Sequence, residues 1–321
     1  MEQDLLRPSI KWKSWRQVLA DRVSALEQLC VERDLGNVPD LYVPTGLRQW
    51  DNNGGITRAV LTVLGGVDGM GKSILKKHLA VAAAKAGKRV IIIDFEDPEE
   101  KTADRDLAAA TGIDSRHIGL LKFDSGALDL LFKATQDAVG WGDNIRYHSG
   151  LVDSDEIMRA LGALVDEGWI PDLVLLDYAQ ALPERENSTL ERTIAKLAWD
   201  SNVYAQRTKC GFVVFSQVKP EVSARGHATL FAAKRKDPEA VDVSGFCPGP
   251  GTQDLAWSSA FGQRARAVGY LYRPGFYEKQ FGKPGALDNR LVIRWAKANF
   301  GNSGVVELGF DGPTGRVFDR S

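Results

Sequence analysis

Residues 66–73 read GVDGMGKS, a complete G-x-x-x-x-G-K-S phosphate-binding loop. Its glycines let successive backbone N–H groups turn inward around a phosphate chain. Gly66, Val67, Asp68, Gly69, Met70, Gly71, Lys72 and Ser73 are the expected cradle. Lys72 can reach the β- and γ-phosphates, and the Ser73 hydroxyl can hold Mg²⁺. An apolar run, AVLTVL at 59–64, precedes the loop, and a helical run, ILKKHLAVAAAK at 74–85, follows it. A chance glycine-rich turn explains neither flank. Strand, loop and helix in that order predict a nucleoside triphosphate site with Mg²⁺.

Outward from the loop, Gly87 stops the helix and RVIIID at 89–94 reads as a second buried strand. DLVLL at 172–176 reads as a third and FVVF at 212–215 as a fourth. The stretch from Pro98 to about Gly168 reads as mainly helical, and 190–209 as one long helix. Strands alternating with helices predict an α/β fold, a mostly parallel twisted sheet flanked by helices. Segments 268–272, 291–295 and 305–310 read as strands of a C-terminal antiparallel section. Between them, 219–252 holds prolines, glycines and clustered bases, and reads as a long, mobile surface loop.

Before the core, residues 11–33 form a candidate amphipathic helix. Trp12, Trp15, Leu19, Val23, Leu26 and Cys30 recur every three or four positions and so share one face. GNVPDLYVPT at 36–45 then breaks the pattern with two prolines. The expected division is an N-terminal helical arm or linker at 1–42 and a nucleotide-binding core at 43–321. The arm's apolar face packs either on its own core or on a neighbouring subunit.

Composition narrows the class. The 321 residues are 44% hydrophobic and 26% charged, as in an ordinary globular protein. No apolar stretch is long enough to span a membrane, and the N-terminus has no secretory apolar region. Cys30, Cys210 and Cys247 form no disulfide or metal pattern, so a reducing, cytoplasmic setting is expected. A formal net charge of −1 says nothing about nucleic acid, but its distribution does. Residues 94–167 hold 17 acidic and 7 basic side chains, whereas 219–297 hold 13 basic and 7 acidic. That asymmetry marks either a polyanion-binding face or an unevenly charged solvated surface.

Three further residues belong with the loop. Asp177 ends the third strand, where a carboxylate can bind the Mg²⁺ shell or, more plainly, cap a turn. Glu96 lies two residues past the second strand, in DFEDPEE, where it can orient or deprotonate an attacking water. Asp94 and Asp97 compete for that role. Gln217 ends the fourth strand, in FSQV, where its amide can touch the γ-phosphate. Ligands of open α/β sheets bind at these C-terminal strand ends.

The order of these motifs resembles the RecA-like ATPase domain of DnaB-type hexameric replicative helicases, over about 43–318. VPTGLRQWDNNGG is similar to the family's P-T-G segment before the first core strand. IDFEDPEEKTADRDL resembles its S-L-E-M segment, with Glu96 on the catalytic glutamate and Arg105 on a basic residue nine positions later. LVLLDYAQAL resembles the metal-binding D-Y-L-Q-L, VVFSQVKP the S-Q-L-N-R segment, and KANFGNSGVVELGF the K-x-R-x-G-x-x-G segment. DLAWSSAFGQRARAVGYLYR follows the family's D-L-R-E-S-G-A-I-E-Q-D-A-D pattern and its later arginine in register. The resemblance implies a homo-oligomer, a hexameric ring or open spiral, around single-stranded DNA, with ATP between subunits. It also implies that the arm 11–33 docks on the next subunit, and that a replication loader or initiator is a partner.

The chain departs from that pattern in three places. Lys297 matches the lysine of K-x-R and is the expected catalytic cation from a neighbour, but Asn299 stands where the family's finger arginine does. Asn is neutral and short, so Arg294 or another base substitutes, or Lys297 acts alone, or hydrolysis is weak. Ala256 and Trp257 replace a backbone-contacting arginine and glutamate. Trp257, Arg264 and the loop bases Arg225, Lys234, Arg235 and Lys236 are then the candidate nucleic-acid contacts. Only about 42 residues precede the core, which suggests a minimal phage- or mobile-element-type helicase. Three readings stay open: a ring helicase or translocase, a RecA-like strand-binding ATPase or recombination mediator, and an ATP-gated assembly factor with weak hydrolysis.

Overall fold

The apolar runs line up as strands. The computed structural model describes residues 12–35, 41–177, 189–219, 221–222, 235, 254–255, 259–281, 289–298 and 304–320. The strands are β1 (Tyr42–Val43), β2 (Ile56–Thr57), β3 (Val60–Gly66), β4 (Val90–Asp94), β5 (Ile145–Ser149), β6 (Leu173–Asp177), β7 (Gly211–Gln217), β8 (Ala267–Tyr272), β9 (Arg290–Ala298), β10 (Val305–Asp311) and β11 (Arg316–Asp319). The helices are α1 (Trp15–Asp34), α2 (Arg48–Asp51), α3 (Lys72–Lys85), α4 (Glu99–Thr111), α5 (Ser115–Gly119), α6 (Ser125–Asp137), α7 (Ser154–Asp166), α8 (Leu190–Thr208), α9 (Ser259–Arg264) and α10 (Pro274–Phe281).

One nine-stranded sheet runs β5-β4-β6-β7-β3-β8-β9-β10-β11, and β1 and β2 form a separate antiparallel pair. From β5 to β8 every pairing is parallel; β9, β10 and β11 are antiparallel. The central strands β3, β4 and β6 are buried throughout, because helices cover both faces of a parallel sheet. Alternate residues divide between the two layers. Phe212 and Val214 of β7 join Leu61, Val63, Val174, Leu176, Ile157 and Leu197 on one face. Val213 and Phe215 join Leu64, Leu75, Leu79, Leu175 and Phe310 on the other.

One expectation is refined and one changes. The stretch 98–168 is mainly helical, in α4, α5, α6 and α7, but it also contains β5, paired in parallel with β4. Its residues IRYHS alternate between partly buried and exposed positions, as an edge strand does, and carry no apolar run. Segment 268–272 is not wholly part of the antiparallel section: β8 pairs parallel with β3 on one side and antiparallel with β9 on the other. It is the seam between the two halves.

The arm forms a helix as its periodicity predicts, although Arg22 and Arg33 interrupt its apolar face beside Trp15 and Leu26. Ser14 and Gln17 make a capping box, with Ser14 Oγ accepting from the Gln17 N–H and Gln17 Oε1 from the Ser14 N–H. Yet α1 buries none of its residues. Trp15, Leu19, Val23 and Leu26 are all exposed, so the arm does not pack its apolar face on its own core. Among the described residues, no helix is long and apolar enough to cross a membrane. Most of segment 219–252 and residues 1–11 lie outside the described residues.

Candidate nucleotide site

The phosphate loop joins the end of β3 to the start of α3, so Lys72 and Ser73 are the first two residues of the helix. That end carries free N–H groups and the positive pole of the helix dipole, a natural seat for phosphate. Gly69 and Gly71 have φ of +79° and +87°, the left-handed region. Close packing excludes a side chain there as well. A Cβ on Gly69 would lie 2.7 Å from the Phe276 ring, and one on Gly71 2.8 Å from the Phe310 ring. Arg273 supports the loop from the sheet side: it donates to the Gly69 carbonyl at 2.8 Å and stacks 3.7 Å over Phe310. Burial pushes the Arg273 guanidinium down to about 10.

Lys72 is buried and closes on the loop itself, 2.8 Å from the Gly66 carbonyl and 3.3 Å from that of Val67. Burial lowers its pKa, against the opposing pull of Asp68, Asp177 and Glu96. Ser73 Oγ donates to Asp177 Oδ2 at 3.3 Å. Gln217 Nε2 donates to Asp68 Oδ1 at 3.1 Å, which ties β7 to the loop. Asp177 is fully buried, and its Oδ1 has no hydrogen-bond partner. A buried carboxylate with one oxygen unpaired and the other on a serine hydroxyl suits a hard cation that takes oxygen ligands. Among the described residues there is no cluster of three or more His, Cys, Asp or Glu able to hold a metal alone. Mg²⁺ commonly rests on one or two protein oxygens plus substrate phosphates, so this donor set fits it.

Glu96 projects past β4 on an exposed turn. Asp94 Oδ1 accepts the N–H groups of Glu96 and Asp97, both at 3.1 Å, and shapes the turn. Arg105 pairs with Asp97, and the Tyr147 hydroxyl donates to the Asp97 carbonyl at 3.2 Å. The Glu96 carboxyl is pushed above its ordinary value by partial burial, then by the charges of Asp177 and Asp97, while Lys72 pulls it down. A raised carboxylate beside the phosphate loop is the expected state of a general base.

The sequence-predicted residues Lys72, Ser73, Glu96, Asp177 and Gln217 therefore converge at one end of β3, β4, β6 and β7. Lys297 does not join them in its own chain. It pairs in register with Val268, whose parallel partner Val63 lies three residues before the loop. Its ammonium rests on the Gly262 and Gln263 carbonyls at 3.0 and 3.4 Å. Arg264 is exposed and stacks 4.4 Å over Trp199, and Arg235 is exposed. Arg225, Lys234, Lys236, Trp257 and Asn299 lie outside the described residues.

Two residues of the site were missed: Lys76, which joins Asp94 to Asp177 from beneath, and Arg273. Lys76 follows Lys72 by one helical turn and sits among the buried positions Leu75, Leu79, Ala80 and Ala83. A lysine inside the apolar stripe of α3 was the available signal.

The model of the DnaB-like helicase C terminal domain matches residues 42–319. The chain belongs to that family. Its fold is that of solved DnaB-type ATPase domains. It superposes on one such ATPase domain, solved by itself, with a TM-score of 0.77 and 19% identity, over 97% of this chain and 100% of that one. A DnaB-like replicative helicase, solved to show its interactions with primase, gives 0.75 and 18% identity, over 97% of this chain and 68% of that one. No curated protein sequence matches the chain. DnaB-like helicases are nucleotide-driven, oligomeric replication proteins, and membership implies nucleotide hydrolysis.

Proposed function

We propose that this chain is an ATP-dependent DNA helicase or translocase that works as a ring, a hexamer, on single-stranded DNA. The observation that carries the reading is the Asp177 carboxylate, one oxygen unpartnered and the other meeting Ser73, at the same strand ends as Lys72, Glu96 and Gln217. The loop amides and Lys72 bind the phosphate chain. Ser73 and Asp177 would hold Mg²⁺, which would supply charge neutralisation to the phosphate chain. The Glu96 carboxylate accepts a proton from the attacking water. Gln217, tied to Asp68 of the loop, passes a change at the γ-phosphate to β7 and to the segment after it.

Assembly supplies what a single chain lacks. Alongside the arm, α6 leaves Leu128 and Phe132 exposed one helical turn apart. Two different apolar faces on one chain, each covered by the other on the next copy, give a head-to-tail contact, which forms a ring when its rotation closes and a filament when it does not. The arm 11–33 then docks on a neighbour, and Lys297, remote from its own loop, leaves the Gly262 and Gln263 carbonyls to serve the neighbour's phosphates. The Asn at position 299 favours a second reading, an ATP-gated assembly factor with weak hydrolysis. The strand-binding ATPase remains the third.

A strand-displacement assay separates them. Unwinding with ATP and none with a non-hydrolysable analogue is the expected result. Assembly with either nucleotide and negligible turnover would replace the first reading by the second, and filaments without unwinding would replace it by the third. Lys72→Ala is expected to abolish turnover with the fold intact. Turnover equal to the unmodified protein would remove the phosphate-loop assignment.

A further inference from the structure

Asp94 and Asp177 end adjacent parallel strands in register, and both side chains are fully buried. Two carboxylates so placed repel each other in a medium that screens them poorly. Between them lies the Lys76 ammonium, 1% exposed, 2.6 Å from Asp94 Oδ2 and 2.7 Å from Asp177 Oδ2. Each carboxylate thus has one oxygen on the lysine and one with other work. Asp94 Oδ1 holds the two N–H groups of the Glu96 turn. Asp177 Oδ1 is the unpartnered oxygen. The Asp177 carbonyl also accepts the Phe95 N–H at 2.7 Å, so the backbone stitches the same two strand ends.

We propose that Lys76 is a positioning residue of the nucleotide site. One ammonium, clamped between Asp94 and Asp177, registers the turn that carries Glu96 against the carboxylate that holds the metal. Lys76 touches neither nucleotide nor water. It fixes the rotation of the Asp177 carboxylate, so that Oδ2 lies between Lys76 and the Ser73 hydroxyl and Oδ1 stays unpaired for the cation. It also fixes the rotation of Asp94, so that its Oδ1 meets the Glu96 and Asp97 amides. The alternative is a lysine that merely neutralises two buried charges for the fold, with no bearing on metal or base.

The inference rests on the reading of Asp177 as a metal ligand, and the experiment separates the two. Lys76→Ala leaves two facing buried carboxylates and endangers the fold itself, so the informative variant is the double change Lys76→Met with Asp94→Asn. It keeps both volumes and leaves the net charge unchanged. Binding of a fluorescent ATP analogue is measured in EDTA and across a Mg²⁺ titration, with Asp177→Asn in parallel. A positioning role predicts binding in EDTA within about twofold of the unmodified protein. The Mg²⁺ needed for half-maximal enhancement is expected to rise about tenfold to a hundredfold, the usual effect of losing an outer-shell partner. If Asp177→Asn shifts the Mg²⁺ requirement and the double variant does not, Lys76 is structural only and the proposal falls alone. If neither shifts it, the metal reading falls and takes the proposal with it.

Discussion

The phosphate loop and the N-terminal arm are opposite ends of a scale of self-sufficiency. The loop is completed within one chain. Its carbonyls are bonded by Lys72 and Arg273, and its glycines are packed on Phe276 and Phe310. The arm has a good local cap and an apolar face, and yet buries nothing. Both are short motifs with a clear sequence signature. The difference shows that a motif specifies local conformation, whereas burial depends on what the rest of the assembly offers. Nucleotide binding should thus survive in a lone chain, and turnover should not.

Among changes that leave the cradle alone, the largest effect should come from Glu96→Gln, which removes the base. Turnover is expected to fall about 10²- to 10⁴-fold, the usual contribution of a positioned general base. Nucleotide affinity should stay within a few-fold, and stopped-flow or steady-state ATPase assays check both. A loss below tenfold would move the base role to another residue and weaken the claim that the chain's own half of the site is complete.

Next comes the arm. Trp15→Asp with Val23→Asp puts charge on the exposed apolar face, and Phe132→Asp does the same to α6. Each is expected to dissociate the oligomer in light scattering and to lower turnover at least tenfold, with nucleotide binding and thermal stability retained. The substituted residues are exposed, so no cavity or buried charge is created in the chain. A variant that stays oligomeric would show that α1 and α6 are not the two halves of one contact.

How far the sequence was legible follows the same division. The meeting of the loop, Asp177 and Gln217 at neighbouring strand ends was legible because the information is local: eight consecutive residues in one case, the last residue of an apolar run in the others. The strand β5 was not, because an edge strand with one open face needs no apolar run, and IRYHS has none. The direction of β8 was not, because it starts 50 residues after β7 ends, and the sign of a pairing depends on that crossover. Lys76 was hidden in LKKH, where a charged pair reads as a solvated helix surface. Its burial is set by Asp94 and Asp177, which are 18 and 101 residues away in sequence. The place of Glu96 just past a strand end was legible, but what holds its turn is dispersed over Asp94, Arg105 and Tyr147.

The smallest expected effect is on pH dependence, and it tests whether Glu96 belongs to the completed half. Partial burial and the neighbouring carboxylates hold its pKa above the ordinary value of 4.5. A base is active only when deprotonated, so the acidic limb of the turnover profile should lie above 4.5, and Glu96→Gln should abolish that limb along with the rate. Stability carries the opposite sign. A carboxyl whose folded pKa is raised binds more protons folded than unfolded between 4.5 and its folded value. The folded state therefore loses stability as pH rises through that window, and the loss persists above it. Glu96→Gln should then be slightly more heat-stable than the unmodified protein at neutral pH and equal to it near about pH 4. The gain is small because the Glu96 side chain is exposed and its charge is screened by water. Calorimetry at the two pH values checks it: a stabilisation that is the same at both would show that the carboxylate charge costs the fold nothing and that its neighbours do not press on it.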